Sequence, residues 1–208
     1  MHIALLLYPG VEPIDLATIG AVSMARRVLP QLSYTTVAEL AGPVVMSNGL
    51  RVMAEQRFSA AAAANVLVVP GGPGWVEAAR NVALLDFIRA QSTRCTLLSV
   101  CTGAMVLAAA GVLDGLPATT KVETVAPEVP PLHVLSQQHT AIDHRHALVV
   151  DAGRVVTGGG VSLCIDAMLY LLEREFGAAA VDEIARILEY RAARDANRAR
   201  LPTVAEAA

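Results

Sequence analysis

The sequence predicts an α/β domain with a mostly parallel sheet, helices on both faces and a small β-hairpin excursion. Three observations carry this. Five or six short apolar runs alternate with helical segments along the 208 residues, the pattern of successive βα units. Pro/Gly breaks follow the runs at Pro9-Gly10, Pro70 to Gly74 and Gly158 to Gly160, where strands hand over to helices. An Asn48-Gly49 turn signal sits inside the alternating segment Gly42 to Ala54, as a hairpin requires.

Taken in order, the first strand is His2 to Tyr8, broken by Pro9-Gly10. Asp15 to Leu29 reads as a helix ended by Pro30, and Ser33 to Glu39 as the second strand. The hairpin follows, and Ser59 is placed to cap a short Ala-rich helix. Val66 to Val69 is a strand, Asn81 to Gln91 an amphipathic helix, and Thr96 to Val100 a buried strand. Ala104 to Val112 reads as a buried helix. The Pro-rich stretch Thr119 to His139 is expected to hold strand fragments at best. Ala147 to Val150 and Arg154 to Thr157 form a second hairpin. Cys164 to Phe176 is a helix, and Ala179 to about Arg198 a last one. Residues 1–208 are expected to form one domain with a frayed tail from about 199.

The bulk numbers exclude several classes. Hydrophobic content of 54% with 17% charged residues is that of a globular chain. A net charge of −3 gives no electrostatic case for nucleic acid. No apolar run approaches the roughly 20 residues of a membrane helix, and Met1-His2 leads directly into a strand without a basic leader. A cytoplasmic protein is therefore expected. The three cysteines, at 95, 101 and 164, lack metal-ligand spacing, so neither a disulfide framework nor a zinc site is expected.

The segment 97-LLSVCTGAMVLAAAGVL-113 carries the most chemistry. Cys101 follows a buried strand at once, and Thr102-Gly103 turn the chain into a helix. Such a turn exposes a nucleophile on the rim of the sheet, as in the hydrolase elbow. Unpaired helix N–H groups and the helix dipole there are expected to lower the thiol pKa. The plainer alternative is a small buried hydrophobe. Parallel sheets place their sites at the carboxyl edge of the strands, so the breaks at 9–10, 70–74, 101 and 158–160 can share one rim.

On that rim, Glu12 or Asp15 could reach Cys101, although acids also suit a first helical turn for the sake of the dipole. Both remain open from the residues alone. Gly71-Gly72 offer backbone N–H groups without a Cβ, as an oxyanion hole needs, with the Thr102 amide as the other donor. Gly158-Gly159-Gly160 lacks the spacing of a dinucleotide fingerprint and reads as close packing. No His follows Cys101, and His133, His139, His144 and His146 fall in the irregular stretch. Lys121, Glu123, Cys95 and Cys164 read as surface or core.

The combination LLLYPGVEPIDL, VVPGGPG, LLSVCTGAMVLAAAGVLDGLPATT and VVTGGGVSLCIDAMLYLLEREFG resembles the ThiJ/PfpI superfamily, class I glutamine amidotransferase-like, over nearly the entire chain. Within it, the SVCTG elbow with Asp15 is most similar to isonitrile hydratases and to the amino-terminal domains of AraC-type regulators. The resemblance implies a flavodoxin-like three-layer sandwich, a homodimer, and no metal or organic cofactor. It implies Cys101 as nucleophile, Asp15 as its acidic partner, Thr102 as the residue after the nucleophile, and Gly71-Gly72 as the glycine pair beside the thiol. The relatives continue ATT with His-Trp, whereas Lys121-Val122 follow Ala118-Thr119-Thr120 here.

The expected activity is hydration of an isonitrile to an N-substituted formamide, a hydro-lyase reaction on a small-molecule substrate. A non-catalytic ligand-sensing domain on the same fold is the alternative. Glyoxalase or deglycase chemistry ranks below both, because it expects a Glu or His beside the thiol.

Overall fold

A computed structural model describes residues 1–205. Its strands and helices follow in order: β1 His2–Leu6, α1 Ala17–Ala25, β2 Ser33–Ala38, β3 Gly42–Val45, β4 Arg51–Ala54 and β5 Gln56–Arg57. Next come β6 Val66–Val69, α2 Trp75–Ala78, α3 Val82–Ser92, β7 Thr96–Ser99, α4 Gly103–Ala109, β8 Pro117–Ala118 and α5 Pro131–Gln138. The chain continues with β9 Asp143–His144, β10 Val149–Ala152, β11 Val155–Gly158, α6 Cys164–Phe176, α7 Ala178–Ile187, α8 Arg191–Arg200 and β12 Thr203–Ala205.

The main sheet has eight strands in the order β12-β10-β11-β7-β6-β1-β2-β5. All its pairings are parallel except β10 with β11. β6 is buried along its whole length, because helices cover both faces; hence its unbroken Val-Leu-Val-Val run. On one side α1 packs against α6, and α6 against α7; elsewhere α4 contacts α2, α3 and α5. The flavodoxin-like arrangement expected from the sequence is the one observed, including the β3–β4 antiparallel hairpin turning at Asn48-Gly49.

Register decides the site. Leu5 pairs with Val68, Val68 with Leu98, and Leu98 with Val156. Four neighbouring strands thus end level, and the loops that follow β1, β6, β7 and β11 meet at one carboxyl edge.

Four stretches differ from expectation. Ser59 caps no helix: Phe58–Ala60 is a single 3-10 turn without a side-chain cap. Gln56 Oε1 accepts from the Ala62 N–H at 2.8 Å, and Phe58 stacks on Phe87 at 4.3 Å, which together hold the short Ala run out of a helix. The Pro-rich middle contains a helix after all, α5, because Pro131 occupies its first turn, where a missing N–H costs nothing.

The expected helix from 179 to 198 is two helices. Glu189 has φ +52°, and this break turns α8 back so that Arg194 reaches Glu173 and Asp182, each at 2.7 Å. The tail from about 199 finishes α8 and then adds β12 beside β10; residues 206–208 lie outside the described part. Among the described residues no helix is long and apolar enough to cross a membrane.

Candidate active site

Cys101 stands between β7 and α4 with φ +52°, a left-handed conformation that costs a non-glycine residue roughly 1–2 kcal/mol. The strain is held by bonds on both sides. The Cys101 N–H donates to the Gly159 carbonyl at 3.0 Å, and Thr120 Oγ1 donates to the Cys101 carbonyl at 2.7 Å. The turn also demands glycine next door, since a Cβ on Gly103 would lie 2.0 Å from the Val69 carbonyl oxygen.

Of the two candidate acids, Glu12 lines the cavity at Cys101, whereas Asp15 is the one whose buried charge acts on the thiol. It sits in a 3-10 turn, Pro13–Leu16, ahead of α1, and is fully buried. Its side chain caps no helix; Oδ2 accepts from the Gly71 N–H at 2.6 Å, and Oδ1 is buried without a partner. Burial raises its pKa from 3.8 to about 7; the Gly71 bond opposes this and the Glu12 charge adds to it. Glu12 instead accepts from the Ser47 hydroxyl at 2.9 Å.

The thiol is not activated by default. Burial, and then the Asp15 charge, push Cys101 up to about 11, whereas the sequence led us to expect a lowered value. The reason is that Cys101 is only 3% exposed, and desolvation of a thiolate outweighs a seven-residue helix. Three groups oppose the rise: the backbone N–H groups of Val161 and Thr102, whose polarity favours the thiolate, and the Lys121 charge. Val161 is itself strained, with φ +55°, so the backbone is bent at both ends of this contact.

The glycine pair does not play the expected part in this geometry. The Gly71 N–H is taken by Asp15 and the Gly72 N–H by Thr102 Oγ1, at 2.8 Å. Neither remains free as an oxyanion donor. Both glycines are required by close approach: a Cβ on Gly71 would meet the Thr102 amide nitrogen at 2.3 Å, and one on Gly72 the Glu12 nitrogen at 2.3 Å. Gly158 packs as expected, with a Cβ there meeting Ala167 at 2.6 Å.

Above the thiol opens a cavity of about 480 Å³ lined by Cys101, Thr102, Trp75, Val161, Lys121 and Glu128, among others. No histidine lines it among the described residues, which removes the partner a Cys-His hydrolase needs. Tyr8 lies close beneath; its hydroxyl donates to the Pro70 carbonyl at 2.7 Å, and burial followed by the Asp15 and Cys101 charges raises its pKa. Sequence reasoning missed Lys121, Glu128, Trp75 and Val161. Only the position of Val161 after three glycines and of Lys121 after ATT carried any signal.

The chain is similar to known proteins over most of its length. The DJ-1/PfpI family profile matches residues 1–174. An isonitrile hydratase from Pseudomonas putida is 33% identical over 191 residues, 91% of this chain and 78% of that protein. A THiJ/PfpI family protein from Pseudomonas syringae superposes with a TM-score of 0.78 at 27% identity, over 91% of this chain and 75% of its own. An AraC family transcriptional regulator from Pseudomonas putida shares the fold, with a TM-score of 0.71 at 20% identity over 90% of this chain and 98% of that one.

Proposed function

The chain belongs to the DJ-1/PfpI family, and from that premise we propose that it hydrates isonitriles to N-substituted formamides, with Cys101 as nucleophile and Asp15 as acid and base. One observation carries the reading: a fully buried carboxyl with one oxygen unpartnered lies within electrostatic reach of a strained cysteine, and burial raises it to about 7. Such a carboxyl holds a proton near neutrality and can both give and take one.

In the first step the Cys101 thiol gives its proton to the Asp15 carboxylate, the sulfur bonds to the terminal isonitrile carbon, and Asp15 delivers that proton to the same carbon. The product is a thioimidate, R–N=CH–S–Cys101. Water then adds to the same carbon; Asp15 takes one of its protons and passes it to the imine nitrogen. Collapse of the tetrahedral adduct gives its hydroxyl proton back to Asp15, breaks the C–S bond, releases R–NH–CHO and returns the sulfur as a thiolate that Asp15 reprotonates. The Thr102 and Val161 N–H groups stabilise the sulfur anion at the start and on departure. Gly71 and Gly72 act by holding Asp15 and Thr102 in place. The apolar walls supplied by Trp75 and Val161 suit a small organic R group.

A homodimer and a cytoplasmic setting belong to the same reading. Exposed Val45, Leu50 and Met53 on the β3–β4 hairpin offer apolar surface for a second copy, and three buried free thiols suit a reducing compartment. Incubation with cyclohexyl isocyanide should yield the formamide with wild type and none with Cys101→Ala. Asp15→Asn should lose about 10²–10⁴ in rate. Failure to find a Cys101-dependent product from several isonitriles would overturn the proposal. Thermal stabilisation of wild type and Cys101→Ala alike by a small ligand, without turnover, would instead establish the sensing alternative.

A further inference from the structure

The charged and titratable groups around Cys101 are nearly all of one sign. Asp15 lies below it on the 3-10 turn, Tyr8 at the end of β1, and Cys164 at the start of α6; Glu12 and Glu128 line the cavity above. Each of these groups is neutral or negative. Lys121 is the single cation lining that cavity among the described residues.

Its placement is unusually well fixed for a lysine. Thr119 is pinned to Thr157 by a backbone N–H bond of 2.9 Å, and Thr120 donates to the Cys101 carbonyl. The Lys121 carbonyl accepts from the Leu132 N–H at 3.1 Å. The stem of the side chain lies on Gly160, where a Cβ would meet its Cγ at 2.6 Å. Gly159, the preceding residue, accepts from the Cys101 N–H. The two segments that grip Lys121 are therefore the two that hold the backbone of Cys101. At its far end Nζ lies 3.6 Å from Glu128 Oε1, with Lys121 16% exposed and Glu128 55% exposed. A loose bond to a wet carboxylate is weak and leaves the ammonium charge largely uncompensated in the cavity that it shares with Cys101.

We propose that Lys121 is the positioning residue that makes Cys101 usable as a nucleophile, an ammonium clamped beside the sulfur by the Thr120 and Gly160 segments and moderated by Glu128. It acts through the thiol and need not touch substrate. The inference rests on Cys101 being the nucleophile but not on the identity of the substrate. Its physical content is that an opposite charge favours the thiolate, against the burial that disfavours it. The direction of the Lys121 effect on the thiol agrees.

The test is the pH dependence of iodoacetamide labelling at Cys101, read by mass spectrometry, in wild type and three variants whose melting temperatures are recorded alongside. Lys121→Met should slow labelling roughly two- to tenfold between pH 7 and pH 9, where an ammonium carries its full charge. Lys121→Arg keeps the charge and should label within about twofold of wild type, by the same reasoning. Glu128→Gln removes the moderating charge and should quicken labelling over the same pH range by a smaller factor. An unchanged profile in Lys121→Met, or an Arg variant that behaves like Met, overturns the proposal. If Lys121→Met does not fold, the quickened labelling in Glu128→Gln still decides, and its absence overturns the proposal too. Wild type that leaves Cys101 unlabelled at every pH overturns this inference and the nucleophile assignment together. A labelled Cys101 without isonitrile turnover overturns only the assigned reaction.

Discussion

The Gly71 N–H donates to Asp15 Oδ2 at 2.6 Å across 56 positions of sequence, and this bond joins the loop after β6 to the turn before α1. It fixes the carboxyl within the buried rim while leaving Oδ1 unpartnered.

The raised carboxyl has a consequence for stability. Asp15 titrates near 3.8 when unfolded and about 7 in the fold, so between those values the folded protein binds more protons. Its contribution is complete below about pH 4 and is lost as pH rises through about 7. Asp15→Asn cannot ionise and keeps an acceptor for Gly71. Relative to wild type, the variant should gain stability from pH 4 to pH 8, by at most about 4 kcal/mol at about 1.4 kcal/mol per pKa unit. Urea titrations at the two pH values measure it, and a difference of the opposite sign contradicts the account.

The three thiols should separate on alkylation. Cys101 opens to a cavity, whereas Cys164 is fully buried beside the Ile14 carbonyl and Cys95 is held under α3 by Gln91. Iodoacetamide should modify Cys101 first, slowly at neutral pH and more quickly as pH climbs toward about 11. Removing the neighbouring charge in Asp15→Asn should quicken labelling at pH 8. Peptide mass spectrometry decides, and equal slow labelling of all three would reduce Cys101 to a packing residue.

Two glycines should respond very differently to alanine. At Gly71 the added methyl meets the Thr102 nitrogen at 2.3 Å and Oγ1 at 2.5 Å, so backbone must shift. The expected loss is about 1–3 kcal/mol or more, as for overpacking in general, together with activity. Gly153 has φ +77° but open space around it, and Gly153→Ala should cost about 1–2 kcal/mol and leave activity intact. Denaturation curves and isonitrile assays on both variants give the comparison.

The fold-back of α8 should depend on one guanidinium. Arg194 is 5% exposed and bonds Asp182 and Glu173, the latter also paired with Arg198. Arg194→Ala should destabilise by about 2–3 kcal/mol, below the roughly 3–5 kcal/mol of a fully buried pair because its partners reach water. A change under about 0.5 kcal/mol in urea denaturation would show that packing alone holds α8.

Much of this molecule is written locally. The unbroken apolar runs at 66–69 and 96–99 specify buried parallel strands whatever surrounds them, and Asn48-Gly49 specifies its hairpin by backbone preference alone. The Cys101 turn was legible for the same reason: a strand, a small polar pair and a helix must place the residue between them on a rim. What the sequence left open depended on contacts between distant positions. The anchoring of a buried Asp15 needed the Gly71 loop to arrive beside it, 56 residues away. Both glycine amides were spent on bonds to side chains that no local pattern could pair with them. Lys121 entered the site only because Thr120 and Gly160 converge on Cys101 from two other strand ends. The thiol was misjudged because a helix terminus is visible in sequence and desolvation is not: burial is a property of the whole assembled rim, and here it outweighs the local dipole.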